Sequence, residues 1–394
     1  MKRVYLISEL FYPNKTSTAY IMTEIAKFLS KNYDTSVIYA DIAYDANVDH
    51  VNEKKLEGIK LIKSRALSLD KNKFFNRILG SLYTTFSFAG KILRYVAKED
   101  VVFAVTNPFL LVILLGCIRR CKKFRYVLLV HDVFPENAVP AGVLKNNSFS
   151  YKIMKTMYDW SYSMADELIV LGRDMEKLVA SKVSRGKKIH IVENWFDSDL
   201  QPNLVFDRNN YLGVDVTDKI VIGFAGNMGR VQYLEEFLKI FASSHNEKLH
   251  MILVGDGACK NDILNFLKKN GIDNVHYLGP KPRSEQSYFL NSCDIGLVTL
   301  SPAMYGLGVP SKSYNLLALG KPILFVGDEG AEIDLLIKDN QIGWSFNWDN
   351  PEPLRSFLTT LNNKDNIKSE KAKILANERF AENIVLSKIN QIIK

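Results

Sequence analysis

KIVIGFAGNMGRVQYLEEFLKIFASSHNEKLHMILVGDG, residues 219–257, holds two apolar runs and an amphipathic segment between them. KIVIGFAG (219–226) and LHMILVGDG (249–257) are near-continuous in apolar residues and close on glycine, the pattern of strands buried on both faces. YLEEFLKIFASS (233–244) spaces its apolar residues for one face of a helix. Strand, helix, strand reads as one unit of a parallel α/β sheet.

The same alternation extends in both directions. Upstream lie strand-like RVYLIS (3–8), helical YIMTEIAKFLSKN (20–32) and strand-like TSVIYA (35–40). The largely helical FFNRILGSLYTTFSFAGKILRYVAK (74–98) follows, and then DVVFAVTN (100–107), RYVLLVHD (125–132), DELIVLG (166–172) and KIHIVENW (188–195). Downstream lie VHYLG (275–279), DIGLVTL (294–300) and KPILFVGD (321–328). Two such series in a chain of 394 residues predict an α/β protein of two Rossmann-like domains. The polar stretch FDSDLQPNLVFDRNNYLGVDVTD (196–218) marks the seam. Ligands of open α/β sheets bind outside the carboxyl ends of the strands, so chemistry is expected in a cleft between the domains.

Composition excludes several classes. Four cysteines in this length make no disulfide scaffold and fit a reduced, cytoplasmic compartment. The start, MKRVYLISELFYPN, lacks the apolar core and cleavage site of a signal peptide. PFLLVILLGCI (108–118), the most apolar run, is too short to span a bilayer and reads as a buried helix. Net charge is +8 and uneven: residues 1–200 hold 30 Lys and Arg against 21 Asp and Glu, residues 201–394 hold 21 against 22. Residues 50–130 alone hold 16 against 5. A basic surface suits an anionic partner; with no nucleic-acid motif in the chain, a membrane is favoured over nucleic acid.

Three strand ends in the second half join glycine to a possible phosphate contact. Gly226, Asn227, Gly229 and Arg230 follow the 219–226 strand. Gly255, Asp256 and Gly257 follow the next. In GLGVPSKSYNLLALGKPILFV (306–326), Gly308, Val309, Pro310, Ser311 and Lys312 lead into a helix. Glycine lets backbone N–H groups approach a ligand, a helix start offers unpaired donors, and Arg230 and Lys312 add charge. The same residues also suit ordinary turns, with Arg230 solvated. In the first half, Thr16, Ser17 and Thr18 can cap the helix at Tyr20 or contact a phosphate. His131 and Asp132 end the 125–132 strand, where they can orient a sugar hydroxyl or serve structure.

The order FYPN…ST-AY, LVHDVFPENAVPAG, ADELIVLG, IVENWFD, GFAGNMGR, LVGDG, VPSKSYNLLALGKP resembles the GT-B glycosyltransferases of family 4, most of all the bacterial branch that builds O-antigens and capsules. The match covers nearly the whole chain. The resemblance implies two Rossmann-like domains facing across a cleft, an acceptor domain of residues 1–197 and a donor domain of 198–376, with a terminal helix in 377–394 crossing back to the first. It implies a retaining, metal-independent transfer from a nucleotide-sugar, UDP-linked and carrying a HexNAc or deoxy-HexNAc, to a polyprenyl-diphosphate-linked sugar. It places catalysis at His131, Asp132, Arg230 and Lys312, and donor binding at the glycine loops, Thr16, Ser17, Pro280, Lys281, Asn315 and Glu332. Lys71, Lys73, Phe74, Phe75, Arg77, Arg119, Arg120, Lys122 and Lys123 would dock the chain peripherally on the cytoplasmic face of the membrane. The chain departs from the family where a Gly-Gly pair becomes Asn14-Lys15-Thr16 and where two glutamates become Leu307 and Asn315. It departs again where a lysine is missing after Arg230. Glu332 and Lys312 are the expected substitutes. Two alternatives share the architecture: a UDP-sugar 2-epimerase, and a catalytically silent relative that binds a partner.

Overall fold

The structure, a computed structural model, describes residues 1–14, 16–40, 56–67 and 74–394, so Lys71 and Lys73 lie outside it. The backbone parts into two compact units, residues 1–139, 144–192 and 386–394 in one, residues 140–143 and 193–385 in the other. The sequence reading put these boundaries at 197 and 377.

The first unit runs β1 (Arg3–Ser8), α1 (Ser17–Leu29), β2 (Asp34–Ala40), β3 (Ile59–Ser64), α2 (Phe74–Tyr95), β4 (Val101–Val105), α3 (Leu111–Lys122), β5 (Arg125–Val130), α4 (Phe149–Met164), β6 (Glu167–Val170), α5 (Arg173–Ala180) and β7 (Lys188–Ile191). Its strands form one parallel sheet ordered β3-β2-β1-β4-β5-β6-β7. Strand order reverses between β1 and β4, where a crevice opens at the carboxyl edge of such a sheet. All five residues of β4 are buried, as a strand covered on both faces requires. α1 begins where the Thr16 side chain accepts the Ala19 N–H, and it buries Ile21, Met22, Ile25 and Leu29 along one stripe.

The second unit runs α6 (Arg208–Leu212), β8 (Ile220–Ala225), α7 (Leu234–Ser243), β9 (Leu249–Val254), α8 (Lys260–Lys269), β10 (Val275–Gly279), α9 (Gln286–Asn291), β11 (Ile295–Thr299), α10 (Lys312–Ala318), β12 (Ile323–Val326), α11 (Glu332–Asn340), β13 (Gly343–Phe346), α12 (Glu352–Thr360) and α13 (Asn366–Arg379). Its sheet is also parallel, ordered β10-β9-β8-β11-β12-β13, with the reversal between β8 and β11. α7 buries Leu234, Phe237, Leu238 and Phe241. Each such side chain contributes about 1.5–3 kcal/mol.

The last helix, α14 (Glu382–Ile393), begins in the second unit and ends in the first. There Arg125 donates to the carbonyls of Ile392 and Ile393, and Lys2 Nζ donates to those of Ile393 (2.9 Å) and Lys394 (3.1 Å).

The sequence reading missed two strands, β3 and β13, and both are sheet edges. β3 is IKLIKS, in which only Ile62 and Ser64 are buried. β13 has four residues, three of them partly exposed. Edge strands need no continuous apolar run, so their pattern is weak.

Candidate functional site

In the second unit the site grows from the carboxyl ends of β8 and β9. The loops after these strands are tied to each other. Gly226 N–H donates to Val254 O (2.9 Å), Met228 N–H to Asp256 O (2.8 Å) and Cys259 N–H to Met228 O (2.8 Å). A Cβ on Gly255, whose φ is +134°, would stand 1.8 Å from Gly226 O, and a Cβ on Gly257 would stand 2.5 Å from Met228 O. The glycines therefore allow two backbones to touch. Their N–H groups are already engaged: Gly255 donates to Gly279 O, Gly257 to Asp256 Oδ1 and Gly229 to Gln232 Oε1. The sequence reading assigned these donors to a ligand; the structure spends them on the loops.

What the loops do present is cationic. Lys312 Nζ lies 3.5 Å from where a Cβ on Gly226 would sit, so it hangs over the end of β8. Arg230 is exposed four residues beyond Gly226. The Arg230 guanidinium lies 3.5 Å from where a Cβ on Gly142 would sit. Crowding by surrounding protein lowers the Lys312 pKa to about 8, against the pull of Asp197. Its side chain is nevertheless open to solvent, and water moderates that depression. Lys312 is also the first residue of α10, which has seven residues and no side-chain cap from Ser311. So short a helix has a small dipole, and the ammonium is the larger source of positive potential. Gly308, Val309 and Pro310 lead into it half-buried.

Asn315, on α10, is buried and committed to Asp197. Its Oδ1 accepts the Asp197 N–H (2.9 Å) and its Nδ2 donates to Asp197 Oδ2 (3.1 Å). Asp197 Oδ1 in turn pairs with Arg283 (2.5 Å). Burial raises the Asp197 pKa while Arg283 and Asn315 oppose it. Asp197 is the residue that sequence reasoning missed. It lies 118 positions from Asn315, and its only signal was membership of IVENWFD. That segment is tied down along its length: Glu193 pairs with Arg379 (2.6 Å), and Phe196 N–H donates to Phe380 O (3.2 Å). Glu332 is buried at the first residue of α11. Lys281 pairs with Glu285 (3.4 Å) and lies over the Tyr211 ring, and Pro280 is exposed beside it.

In the first unit, His131 and Asp132 follow β5, and both of their N–H groups donate to Thr106 Oγ1 at 3.2 Å. Burial lowers the His131 pKa to about 4, so its imidazole is neutral at pH 7, and its Nε2 is buried with no hydrogen-bond partner among the described residues. Crowding raises the Asp132 pKa toward about 6, opposed by a hydrogen bond from Asn137, and its exposure to water moderates that rise. Thr16 spends its hydroxyl as the cap of α1, and Ser17 opens that helix.

The residues expected to face a membrane divide. Arg119 grips Asp166 with two hydrogen bonds (2.9 and 3.2 Å), and Lys122 Nζ caps α2 through the carbonyls of Leu93 (2.5 Å) and Val96 (2.7 Å). These two hold helices in place. Arg120 and Lys123 are exposed. Phe74, Phe75 and Arg77 lie on the first turn of α2, for which only the backbone is described. Among the described residues no helix is long and apolar enough to cross a membrane, and no cluster of three or more His, Cys, Asp or Glu is placed to hold a metal ion.

Residues 213–378 match the family model described as glycosyl transferases group 1. The chain is 35% identical over 350 residues to "Probable glycosyltransferase WbjE" of Pseudomonas aeruginosa, covering 88% of this chain and 86% of that one. Among solved structures, a sucrose-phosphate synthase from Thermosynechococcus elongatus superimposes with a TM-score of 0.78 at 12% identity, over 100% of this chain and 98% of that one. Anabaena HepE, solved in complex with UDP, superimposes with a TM-score of 0.70 at 15% identity, over 100% and 99%. Both bear on the fold.

Proposed function

The chain belongs to the group 1 glycosyltransferases, and from that premise we propose that it moves a HexNAc or deoxy-HexNAc from a UDP-linked donor to a polyprenyl-diphosphate-linked acceptor, in the assembly of a bacterial surface polysaccharide. The observation that carries the donor half is Lys312 over the end of β8 with Arg230 exposed on the loop that follows, two cations of which Lys312 feels only the more distant pull of Asp197. Cations at the carboxyl end of a parallel sheet suit a diphosphate. HepE, with the same fold, was solved with UDP, and WaaG, a glycosyltransferase involved in lipopolysaccharide biosynthesis, superimposes with a TM-score of 0.72.

In the proposed reaction the bond between the sugar's anomeric carbon and the diphosphate oxygen breaks. The acceptor oxygen bonds to that carbon on the same face, and the acceptor's proton leaves with the diphosphate. Arg230 and Lys312 offset the charge growing on the leaving group, with no metal required. His131, neutral at working pH, is suited to hydrogen-bonding a sugar hydroxyl rather than to supplying a proton. Asn315 orders α10 through Asp197, and Glu332 stands at the next helix start as a candidate contact to the donor sugar.

The test is nucleotide binding. UDP at 100 times its dissociation constant should stabilise the protein by about 2.7 kcal/mol, with GDP and ADP weaker, and the gain should vanish in Arg230→Ala and Lys312→Ala. The Lys312 pKa is lowered toward about 8, less so where water reaches it, and a bound diphosphate raises it again. UDP affinity should therefore be full at neutral pH and fall as pH rises from about 8 toward the ordinary lysine range. Lys312→Arg should remove that fall. Stabilisation by UDP that survives both alanine variants would overturn the donor site, and no response to any nucleotide would favour the silent-relative alternative.

A further inference from the structure

The second unit holds a cavity of about 500 Å³ where α12 ends and α13 begins. Ligand pockets occupy roughly 300–1,000 Å³. Asn246, just ahead of β9, donates to the carbonyls of Leu358 and Leu361 (both 2.8 Å), and Lys364 pairs with Asp294 (2.9 Å), just ahead of β11. These ties set the cavity at the amino edge of the sheet. Arg230 and Lys312 lie past the carboxyl edge, away by at least the roughly 16 Å length of a five-residue strand such as β11. The cavity is therefore no part of the donor site.

The lining identifies the class of ligand. Trp344 and Phe357 form an aromatic wall, their ring centroids 5.0 Å apart and their planes tilted by 42°. Leu361 and the exposed Ile367 add aliphatic surface. Thr360, Asn362, Asn363 and Asn366 bring a hydroxyl and three amides, groups that both donate and accept. Asn363 donates to Asn362 (2.8 Å), while among the described residues the Asn366 amide and the Trp344 indole N–H have no hydrogen-bond partner. The charges of the lining are already paired, Lys364 with Asp294 and Asp365 with Lys368 (3.1 Å), whose Nζ lies over the Trp344 ring at 5.4 Å. A phosphate or a nucleotide would have to break one of these pairs to gain a cation. A neutral ligand with an apolar face and a polar rim suits the lining better. A pyranose has that form, with C–H groups on its flat face and hydroxyls around it. An acetamido substituent adds a methyl group for the aliphatic surface and an amide for the asparagines.

We propose that this cavity is an accessory saccharide site, which holds an N-acetylated hexose unit of the glycan against Trp344 and Phe357, with Asn363 and Asn366 on its polar groups. The choice of sugar rests on the HexNAc chemistry of the reading above. A second hold on the glycan raises its effective concentration at the enzyme without touching the reacting sugar.

Calorimetric titration of the full chain with chitotetraose, a tetramer of N-acetylglucosamine, tests it, with cellotetraose as the analogue that lacks acetamido groups. Chitotetraose should bind, and more tightly than cellotetraose. Its affinity should drop roughly tenfold or more in Asn363→Ala/Asn366→Ala, and Thr360→Trp, which fills the cavity, should abolish binding. Thr360, Asn363 and Asn366 are exposed, so melting temperatures and the response to UDP should match wild type. If Thr360→Trp melts lower, the asparagine pair decides. Chitotetraose should also quench tryptophan fluorescence in wild type, and Trp344→Phe should remove that quenching. No binding of chitotetraose to wild type, or binding undiminished in the asparagine pair, would overturn the proposal. So would binding that UDP displaces, which would put the sugar in the donor site. Failure of UDP to bind, with chitotetraose still held, would instead strike the donor-site reading and leave the accessory site standing.

Discussion

Gly255 shows how a single position can carry the donor loop's shape. Its φ of +134° is left to glycine, and the carbonyl of Gly226 occupies the space a methyl group would need. Gly255→Ala is therefore expected to destabilise the second unit by at least about 1–3 kcal/mol, since both backbone strain and a clash with a neighbouring backbone must be relieved. Denaturant unfolding measures it; a loss within ±0.5 kcal/mol would contradict the close approach. The residue scale also shows where sequence reading stops. Lys312 was legible because a lysine beside glycines at a helix start points to an anion, and the structure does bring it to Gly226. The direction of the glycine N–H groups was not legible, because a strand-end glycine that donates to a ligand and one that donates to a neighbouring loop look the same in one dimension.

At the scale of elements, α10 is held by something other than its own sequence. Seven residues without a side-chain cap make a marginal helix, and the Asn315–Asp197–Arg283 chain of contacts pins it to the segment after β7. Asp197→Asn keeps the shape but removes the carboxylate charge. It should cost about 1.5–3 kcal/mol, the range for a hydrogen bond to a charged group. It should also let the Lys312 pKa fall further, because Asp197 is what holds it up. The decline of UDP affinity then begins at a lower pH than in wild type, a shift that loss of packing alone would not produce; titration of UDP binding against pH reads it directly. The central strands and their helices could be read from apolar runs and helical spacing, since burial on both faces leaves an unmistakable pattern. The edge strands β3 and β13 could not, and neither could Asp197, whose partners are brought from two distant segments by the fold.

For the molecule as a whole, acid is the expected weak point. His250 in β9 is buried, with its Nε2 unpartnered among the described residues, and burial beside His276 and Arg208 lowers its pKa to about 4. Unfolded, it titrates near 6.5, so the unfolded chain binds more protons between those values. Stability that is full above pH 6.5 is lost as pH falls toward 4, by up to about 3 kcal/mol for this group. His250→Gln should flatten the melting temperature between pH 6.5 and 4 in the second unit; an unchanged slope would assign the acid loss elsewhere. The division into units has a further consequence, for a chain made from its N-terminus. The first unit contains residues 386–394, gripped by Lys2 and Arg125, whereas the second is complete at residue 385. During synthesis the half of the protein that begins later therefore has all its parts first. The half that begins earlier must wait on the ribosome, its first and fifth strands made but its final helix still to come.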